Sequence, residues 1–273
     1  MKRAFVIGHP INHSRSPLIH GTWLADYGVD GSYEAIDVAP DALPDFFASL
    51  RAGDFIGGNV TIPLKQGVFA LCDSVDPLAR TIGAVNTLVG RDGKVHGFNT
   101  DFMGFLGNLD QRAPGWSDGL SSAIVLGAGG AARAVLVALR ARGVGEIHLL
   151  NRTVDKAAAL ASEIGVSVRA GSLSAFADLA PGAGLLVNTT SVGMHGSAFP
   201  DLPLGRLQST ALVTDLVYVP LETPLLAAAR ALGLRTVDGL GMLLHQAVPG
   251  FEAWFGVRPE VTAALRNKVE LTL

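Results

Sequence analysis

The chain has 273 residues, 49% of them hydrophobic and only 16% charged, with 33 glycines and a net charge of −3. That length fits one large domain or two of ordinary size, and so apolar a chain buries a sizeable core and is not disordered. No block of Lys or Arg marks a nucleic-acid surface, the single Cys72 excludes an intrachain disulfide, and no apolar run approaches a membrane span. The apolar part of the opening MKRAFVIGHP is too short for a signal-peptide core, so a soluble, cytoplasmic protein is expected.

In chain order the sequence alternates strands with helices. RAFVIG (3–8) is a short apolar run bounded by Gly and Pro, and reads as a buried strand. Ser16 and Pro17 open a helix, Ser as N-cap and Pro at the first helical position, and Gly28 ends it. YEAIDV (33–38) is a strand, 41–51 a helix and FIGGNVTI (55–62) a strand. In GGNVTIPLKQG (57–67), Val60, Ile62 and Leu64 read as one buried face. Pro63 stops the strand and leaves Lys65 at its carboxyl end, where α/β proteins hold ligands. By residue type alone Lys65 is an ordinary surface lysine. VNTLVG and KVHGFN flank RDG, a hairpin signature. DFMGFLGNL reads as a helix whose first-turn acid, Asp101, suits the helix dipole. RAPGWSDGLSS (112–122) reads as a linker or domain boundary.

A second series follows. SAIVLGA, EIHLLNR, VSVRAG, LLVNTT, ALVTDLVY and RTVDG read as strands. GGAARAVLVALRARG, TVDKAAALASEIG and TPLLAAARALG read as helices, and two more close the chain at roughly 240–255 and 259–271. Such alternation means parallel sheets covered by helices on both faces.

GAGGAA (127–132) lies between a predicted strand and a predicted helix. Gly127 permits the tight turn, Gly129 lets backbone approach a pyrophosphate, and Ala132 lets the helix pack closely on the strand. Glycine turns before helices are common, but strand, loop, helix and second strand fall here in the order of a dinucleotide site. An NAD site places an acid at the end of that second strand. This chain has Asn151-Arg152-Thr153 there and Lys156 beyond. A guanidinium fork suits a 2′-phosphate, so NADP is expected, although Asp155 could pair with either cation. Alternatively, Arg152 and Lys156 are a solvated helix start, which the helix dipole slightly disfavours. No metal site is expected: Pro10 separates His9 from His13, HExxH is absent, and one Cys cannot form a thiolate cluster.

IGHPINHSRSPLIH, NVTIPLK, GAVNT, GFNTD, GAGGAARA, NRT, NTTSVGM, DLVYVPLETPLL and DGLGMLLHQA occur in that order, and together the chain resembles the shikimate dehydrogenase family over nearly its full length. The resemblance implies two α/β domains with mostly parallel sheets, the second a Rossmann-type doubly wound nucleotide-binding domain, and a substrate cleft between them. It sets residues 1–104 plus 240–273 as the substrate-binding catalytic domain and 105–239 as the NADP-binding domain. It implies NADP-dependent reversible reduction of 3-dehydroshikimate to shikimate, in the pathway to aromatic amino acids. Lys65 and Asp101 become the catalytic pair, because an ammonium held by a carboxylate can stabilise and protonate an alkoxide.

Ser14 and Ser16, with help from Tyr218, are assigned the substrate carboxylate, and Asn59, Thr61, Asn86 and Gln246 the ring hydroxyls. Gln246 lies on an otherwise apolar helix face and needs a partner if buried. Gly127, Ala128, Gly129, Gly130 and Ala131, with Asn151, Arg152, Thr153 and Lys156, are assigned to the phosphates. Thr190, Ser191, Met194, Val217 and Gly239 fall to the rest of the cofactor. A small-molecule substrate is the expected partner, for a monomer or homodimer. A paralogue acting on quinate or an amino analogue of shikimate is the nearest alternative, and a catalytically silent NADP(H) sensor a more distant one.

Overall fold

The computed structural model describes residues 1–200 and 202–273. Its elements, in chain order, begin with β1 (Lys2–Gly8), α1 (Ser16–Asp26), β2 (Gly31–Asp37), α2 (Leu43–Ala52), β3 (Gly57–Val60), α3 (Gly67–Leu71), β4 (Ser74–Val75), α4 (Pro77–Ile82), β5 (Thr87–Arg91) and β6 (Lys94–Phe98). There follow α5 (Asp101–Arg112), β7 (Ser122–Leu126), α6 (Gly130–Ala141), β8 (Glu146–Leu150), α7 (Val154–Ile164), β9 (Val168–Gly171), α8 (Phe176–Leu179), β10 (Leu185–Asn188) and β11 (Val192–His195). The chain closes with β12 (Leu212–Asp215), α9 (Pro224–Ala231), β13 (Arg235–Val237), α10 (Leu240–Phe255) and α11 (Ala263–Glu270). Contacts divide the chain into a first unit, Met1–Asp101 with Leu244–Thr272, and a second, Phe102–Leu243 with Leu273.

The sheet of the first unit runs β2-β1-β3-β5-β6-β4. β1 is parallel to β2 and β3, whereas β5 runs antiparallel to β3 and to its hairpin partner β6. One core cluster gathers Phe5, Ile7, Phe47, Val60, Leu64 and Leu88. The GG of GGNVTIPLK has a packing reason. A Cβ on Gly57 would sit 2.3 Å from the Leu88 carbonyl and 2.4 Å from Trp254 Nε1, and φ there is +148°. Only glycine leaves that space, through which the Trp254 indole donates to Leu88 O at 2.9 Å.

The sheet of the second unit is all parallel, in the order β9-β8-β7-β10-β12-β13. This is the doubly wound order 3-2-1-4-5-6 of dinucleotide-binding folds. Alternate residues of its strands go to opposite cores: Ala123, Val125, Ile147 and Leu149 to one, Ile124, Leu126, Leu150 and Leu186 to the other. Both faces are therefore buried, which is why these strands read as unbroken apolar runs.

Several expectations need correction. Ser16 is the first helical residue of α1, not its cap. Arg15 occupies the N-cap without a side-chain bond, and Ser14 Oγ accepts the Ser16 N–H at 3.3 Å. Ile62 is 74% exposed, since β3 ends at Val60 and the turn that follows buries Leu64 instead. Residues 112–122 are not a loose linker: Ala113 and Trp116 pack into the second unit's core, and Trp116 Nε1 donates to Asp110. The strand expected over 211–218 stops at Asp215, whose side chain is drawn into a local network. Val166 is fully exposed ahead of β9, and α11 begins only at Ala263, where the Thr262 hydroxyl accepts the Leu265 N–H. α3, α4, α8, β4 and β11 go unannounced in the sequence, because each is too short to show a period.

Candidate active site

The loop after β3 places Lys65. Thr61 N–H donates to Ile7 O at 2.9 Å, Leu64 N–H returns to Thr61 O at 2.9 Å, and Leu64 is driven into the core. Burial of Leu64 fixes the backbone next to it, so Lys65 emerges in a set direction, and its Nζ lies 2.6 Å from Asp101 Oδ2. Asp101 begins α5, its N–H donating to Asn99 Oδ1 at 3.0 Å. Asp101 is only 7% exposed. Its other oxygen accepts from Asn86 Nδ2 at 2.9 Å.

Asn86 is held in turn. Its Oδ1 accepts from Thr100 N at 2.8 Å and from Thr87 Oγ1 at 2.9 Å. Asn59 Nδ2 donates to Thr87 Oγ1 at 3.2 Å and to Asn86 O at 3.3 Å, while its Oδ1 accepts from Tyr33 Oη at 2.7 Å. Both N–H bonds of Asn59 are thus engaged within the protein. Gln246 enters from α10, its Oε1 3.5 Å from Thr100 Oγ1. Buried polar groups need such partners, because an unmade bond there costs about 1–3 kcal/mol. Thr61 turns its methyl towards Gly8, and its hydroxyl makes no hydrogen bond among the described residues. Ser16 is buried and Ser14 half-buried at the start of α1. Lys65, Asp101, Asn86, Asn59 and Gln246, far apart in sequence, thus fall into one network.

Behind this network lies an aromatic box that sequence reasoning did not single out as functional. His20 stacks on Tyr33 with centroids 4.0 Å apart, and Trp23, Phe251 and Trp254 surround it. Among the described residues neither ring nitrogen of His20 has a hydrogen-bond partner. Burial lowers its pKa from 6.5 to about 3, and the pull of Asn59 in the other direction does not offset this. The Tyr33 hydroxyl is pushed well above its usual range by burial, against hydrogen bonding from Ser16 and Asn59.

In the second unit, the glycine loop leaves β7 at the switch point between β7 and β10. Gly127 has φ of +99°, and a Cβ there would lie 2.5 Å from Thr190 Cγ2. The N-cap of α6 is Gly129, with no side-chain cap and no acid in the first turn, while Ala132 is fully buried. Among the described residues no side chain caps those first-turn amides, and Gly129 and Gly130 leave the approach open. After β8, Asn151 Nδ2 donates to Thr153 O at 2.8 Å. Arg152 and Lys156 are exposed, and among the described residues neither forms an ion pair, with Asp155 or any other acid. The donor set thus fits a dinucleotide phosphate. A cavity of about 350 Å³ opens here, bordered by Gly127, Asn151, Arg152, Thr190 and Ser191. Its apolar walls, Leu173, Phe199 and Pro200, were missed, because nothing in their sequence spacing distinguishes them from ordinary loop residues.

Asn188 and Asp215 shape the other strand ends. Asn188 Oδ1 accepts both the amide and the hydroxyl of Thr190, at 2.9 and 2.8 Å. Asn188 Nδ2 donates to Asp215 Oδ1 at 2.8 Å, Val217 N–H to the same oxygen at 2.9 Å, and Thr223 Oγ1 to Oδ2 at 2.7 Å. Burial pushes the Asp215 carboxyl up to about 6, with those three bonds acting the other way. Tyr218 follows Val217, half-buried, and Met194 is exposed on β11. Gly239 lets the chain pass Leu216, where a Cβ would come within 2.4 Å of its carbonyl.

Among the described residues no helix is long and apolar enough to cross a membrane, and no cluster of His, Cys, Asp or Glu could hold a metal. A doubly wound parallel sheet, a glycine loop feeding an uncapped helix, and a half-buried lysine on a buried carboxylate elsewhere in the chain define a dinucleotide-dependent dehydrogenase. Comparison with known proteins narrows the class. Residues 6–88 match the shikimate dehydrogenase substrate binding domain, 116–194 the shikimate / quinate 5-dehydrogenase profile, and 239–267 the shikimate 5′-dehydrogenase C-terminal domain. The chain is 59% identical to the shikimate dehydrogenase (NADP(+)) of Mesorhizobium japonicum, over 97% of this chain and 94% of the other. The crystal structure of shikimate 5-dehydrogenase from Thermus thermophilus, in complex with NADP(H) and shikimate, superposes with a TM-score of 0.88 at 40% identity, covering all of both chains. Quinate dehydrogenase from Corynebacterium glutamicum, in complex with NAD, superposes with a TM-score of 0.91 at 33% identity, covering 100% of this chain and 99% of that one. The chain belongs to the shikimate dehydrogenase family.

Proposed function

We propose that this chain is an NADP-dependent shikimate dehydrogenase, interconverting 3-dehydroshikimate and shikimate. The observation that carries the reading is the Lys65–Asp101 pair, 2.6 Å apart beside a buried amide network. Oxidising an alcohol releases a hydride and a proton, and reducing the ketone needs both returned. NADP(H), when bound, accepts or supplies the hydride. Lys65 attends to the oxygen: its ammonium, aimed by Asp101, donates to the developing alkoxide and can supply the proton. Thr61, Asn86 and Gln246 hold ring hydroxyls, and Ser14 and Ser16 the carboxylate.

Residues 1–104 with 240–273 carry substrate recognition in this reading, and 105–239 carry the cofactor. The first-turn amides of α6 suit the pyrophosphate, and Arg152 with Lys156 the 2′-phosphate. Thr190, Ser191, Met194, Val217 and Gly239 complete the cofactor surface. A cytoplasmic location suits the free Cys72, and the working form is a monomer or homodimer.

The test is the initial rate of cofactor reduction, with shikimate and quinate each crossed against NADP and NAD. Shikimate with NADP should dominate. A larger kcat/KM with quinate or NAD would favour the specificity of the quinate dehydrogenase neighbour and overturn ours. NADP binding without turnover in any combination would favour a silent sensor.

A further inference from the structure

Four hydrogen bonds behind the candidate site run in a single direction. Tyr33 Oη donates to Asn59 Oδ1 at 2.7 Å, and Asn59 Nδ2 to Thr87 Oγ1 at 3.2 Å. Thr87 Oγ1 donates to Asn86 Oδ1 at 2.9 Å, and Asn86 Nδ2 to Asp101 Oδ1 at 2.9 Å. All five side chains are buried. The direction follows from the chemistry of each group. A buried, protonated phenol has one proton to give, and a side-chain amide has an acceptor end and a donor end. The backbone carbonyl of Asn86, which can only accept, takes the other N–H of Asn59 at 3.3 Å, so the Asn59 NH₂ faces Thr87 and Asn86 and its oxygen is left to accept from Tyr33. Thr87, already accepting from Asn59, has the Thr100 hydroxyl as a second neighbour at 3.1 Å and donates to Asn86 Oδ1 at 2.9 Å. That oxygen also accepts from Thr100 N at 2.8 Å, which leaves the NH₂ end of Asn86 for the carboxylate. Inverting either amide alone would set donor against donor or acceptor against acceptor. Bonds aligned head to tail in this way polarise one another.

We propose that Tyr33 is a positioning residue: through Asn59 and Thr87 it fixes the amide of Asn86, and so the donor that holds Asp101 beneath Lys65. The inference rests on the dehydrogenase reading and deepens it. It also gives Asn59 a different part from the one the resemblance implied, orienting its neighbours with both N–H bonds instead of presenting them to substrate.

Tyr33→Phe keeps the ring on His20 and removes only the hydroxyl. The expected result is a fall in kcat/KM for shikimate of about fivefold, the worth of one neutral hydrogen bond, with the KM for NADP unchanged. Thr87→Val cuts the chain one link further on, and Thr87→Ser, which keeps the hydroxyl, should recover most of that loss. In the Tyr33→Phe, Thr87→Val double variant the Tyr33 effect should vanish, because the chain is already broken. Such coupling between two side chains that share no bond is not produced by a role in packing alone. A Tyr33→Phe protein with parental kcat/KM overturns the chain, as does a Tyr33 effect undiminished in the Thr87→Val background; both leave the dehydrogenase reading intact. Should Tyr33→Phe not fold, Thr87→Val and Thr87→Ser decide alone, equal losses in both overturning the proposal. A parent that does not oxidise shikimate with NADP overturns proposal and function together.

Discussion

Acid should weaken the first unit through His20. The ring is fully buried at 0% exposure, stacked between Tyr33 and Phe251, and its pKa falls from 6.5 to about 3. At pH 7 the ring is neutral in the folded chain and mostly neutral in the unfolded one. Between about 6.5 and about 3 the unfolded chain binds a proton that the folded one refuses, so stability falls as pH falls. At about 1.4 kcal/mol per pH unit, going from about 6.5 to about 4 costs on the order of 3 kcal/mol. That is a large share of the roughly 5–15 kcal/mol that holds a domain folded. His20→Phe keeps an aromatic ring in the box and removes the titration. Trp23 and Trp254 line that box, while Trp116 lies in the second unit. Urea unfolding in a Trp116→Phe background, followed by tryptophan fluorescence at about pH 7 and about pH 4, therefore reports on the first unit. The parent should lose on the order of 3 kcal/mol more than His20→Phe between the two conditions. Surface carboxylates titrate alike in both proteins and cancel. Equal losses would show that His20 protonation does not govern the acid response, and would refute the reasoning.

Lys65→Ala should lower kcat by about 10²- to 10⁴-fold, the usual contribution of a positioned proton donor, with the KM for NADP little changed; full activity would remove Lys65 from the mechanism. Arg152→Ala should raise the KM for NADP about tenfold or more and leave that for shikimate nearly alone, since a charge-assisted bond is lost at one ligand only; equal changes in both would reject its phosphate role. Asp215 has the opposite pH sign to His20. Its carboxyl is raised from 3.8 to about 6, so between those values the folded chain keeps a proton that the unfolded chain has released, and stability falls as pH rises. Asp215→Asn should lack that decline in thermal melts; the same decline in the variant would place its origin elsewhere.

The sequence by itself determined the alternation of strands and helices, the glycine turn between β7 and α6, and the motifs that carry the family. These are local features: a glycine turn before a helix or an apolar run of five residues has the same physical meaning wherever it falls. It also placed Lys65 just past a strand, although the strand ends at Val60, ahead of Pro63, and it is burial of Leu64 that fixes the turn. It misjudged Ile62 and Ser16, since period and residue type alone do not say where a turn rotates the chain or which of two serines accepts an amide. Only the tertiary structure decided that Asn59, Asn86, Thr87 and Thr100 form one network under Asp101. It alone showed His20 stacked on Tyr33 with no hydrogen-bond partner among the described residues, and Asp215 tying together the loops after β10 and β12. Burial and hydrogen-bond direction depend on which residues distant in sequence meet in space, and no local pattern of a single chain encodes that meeting.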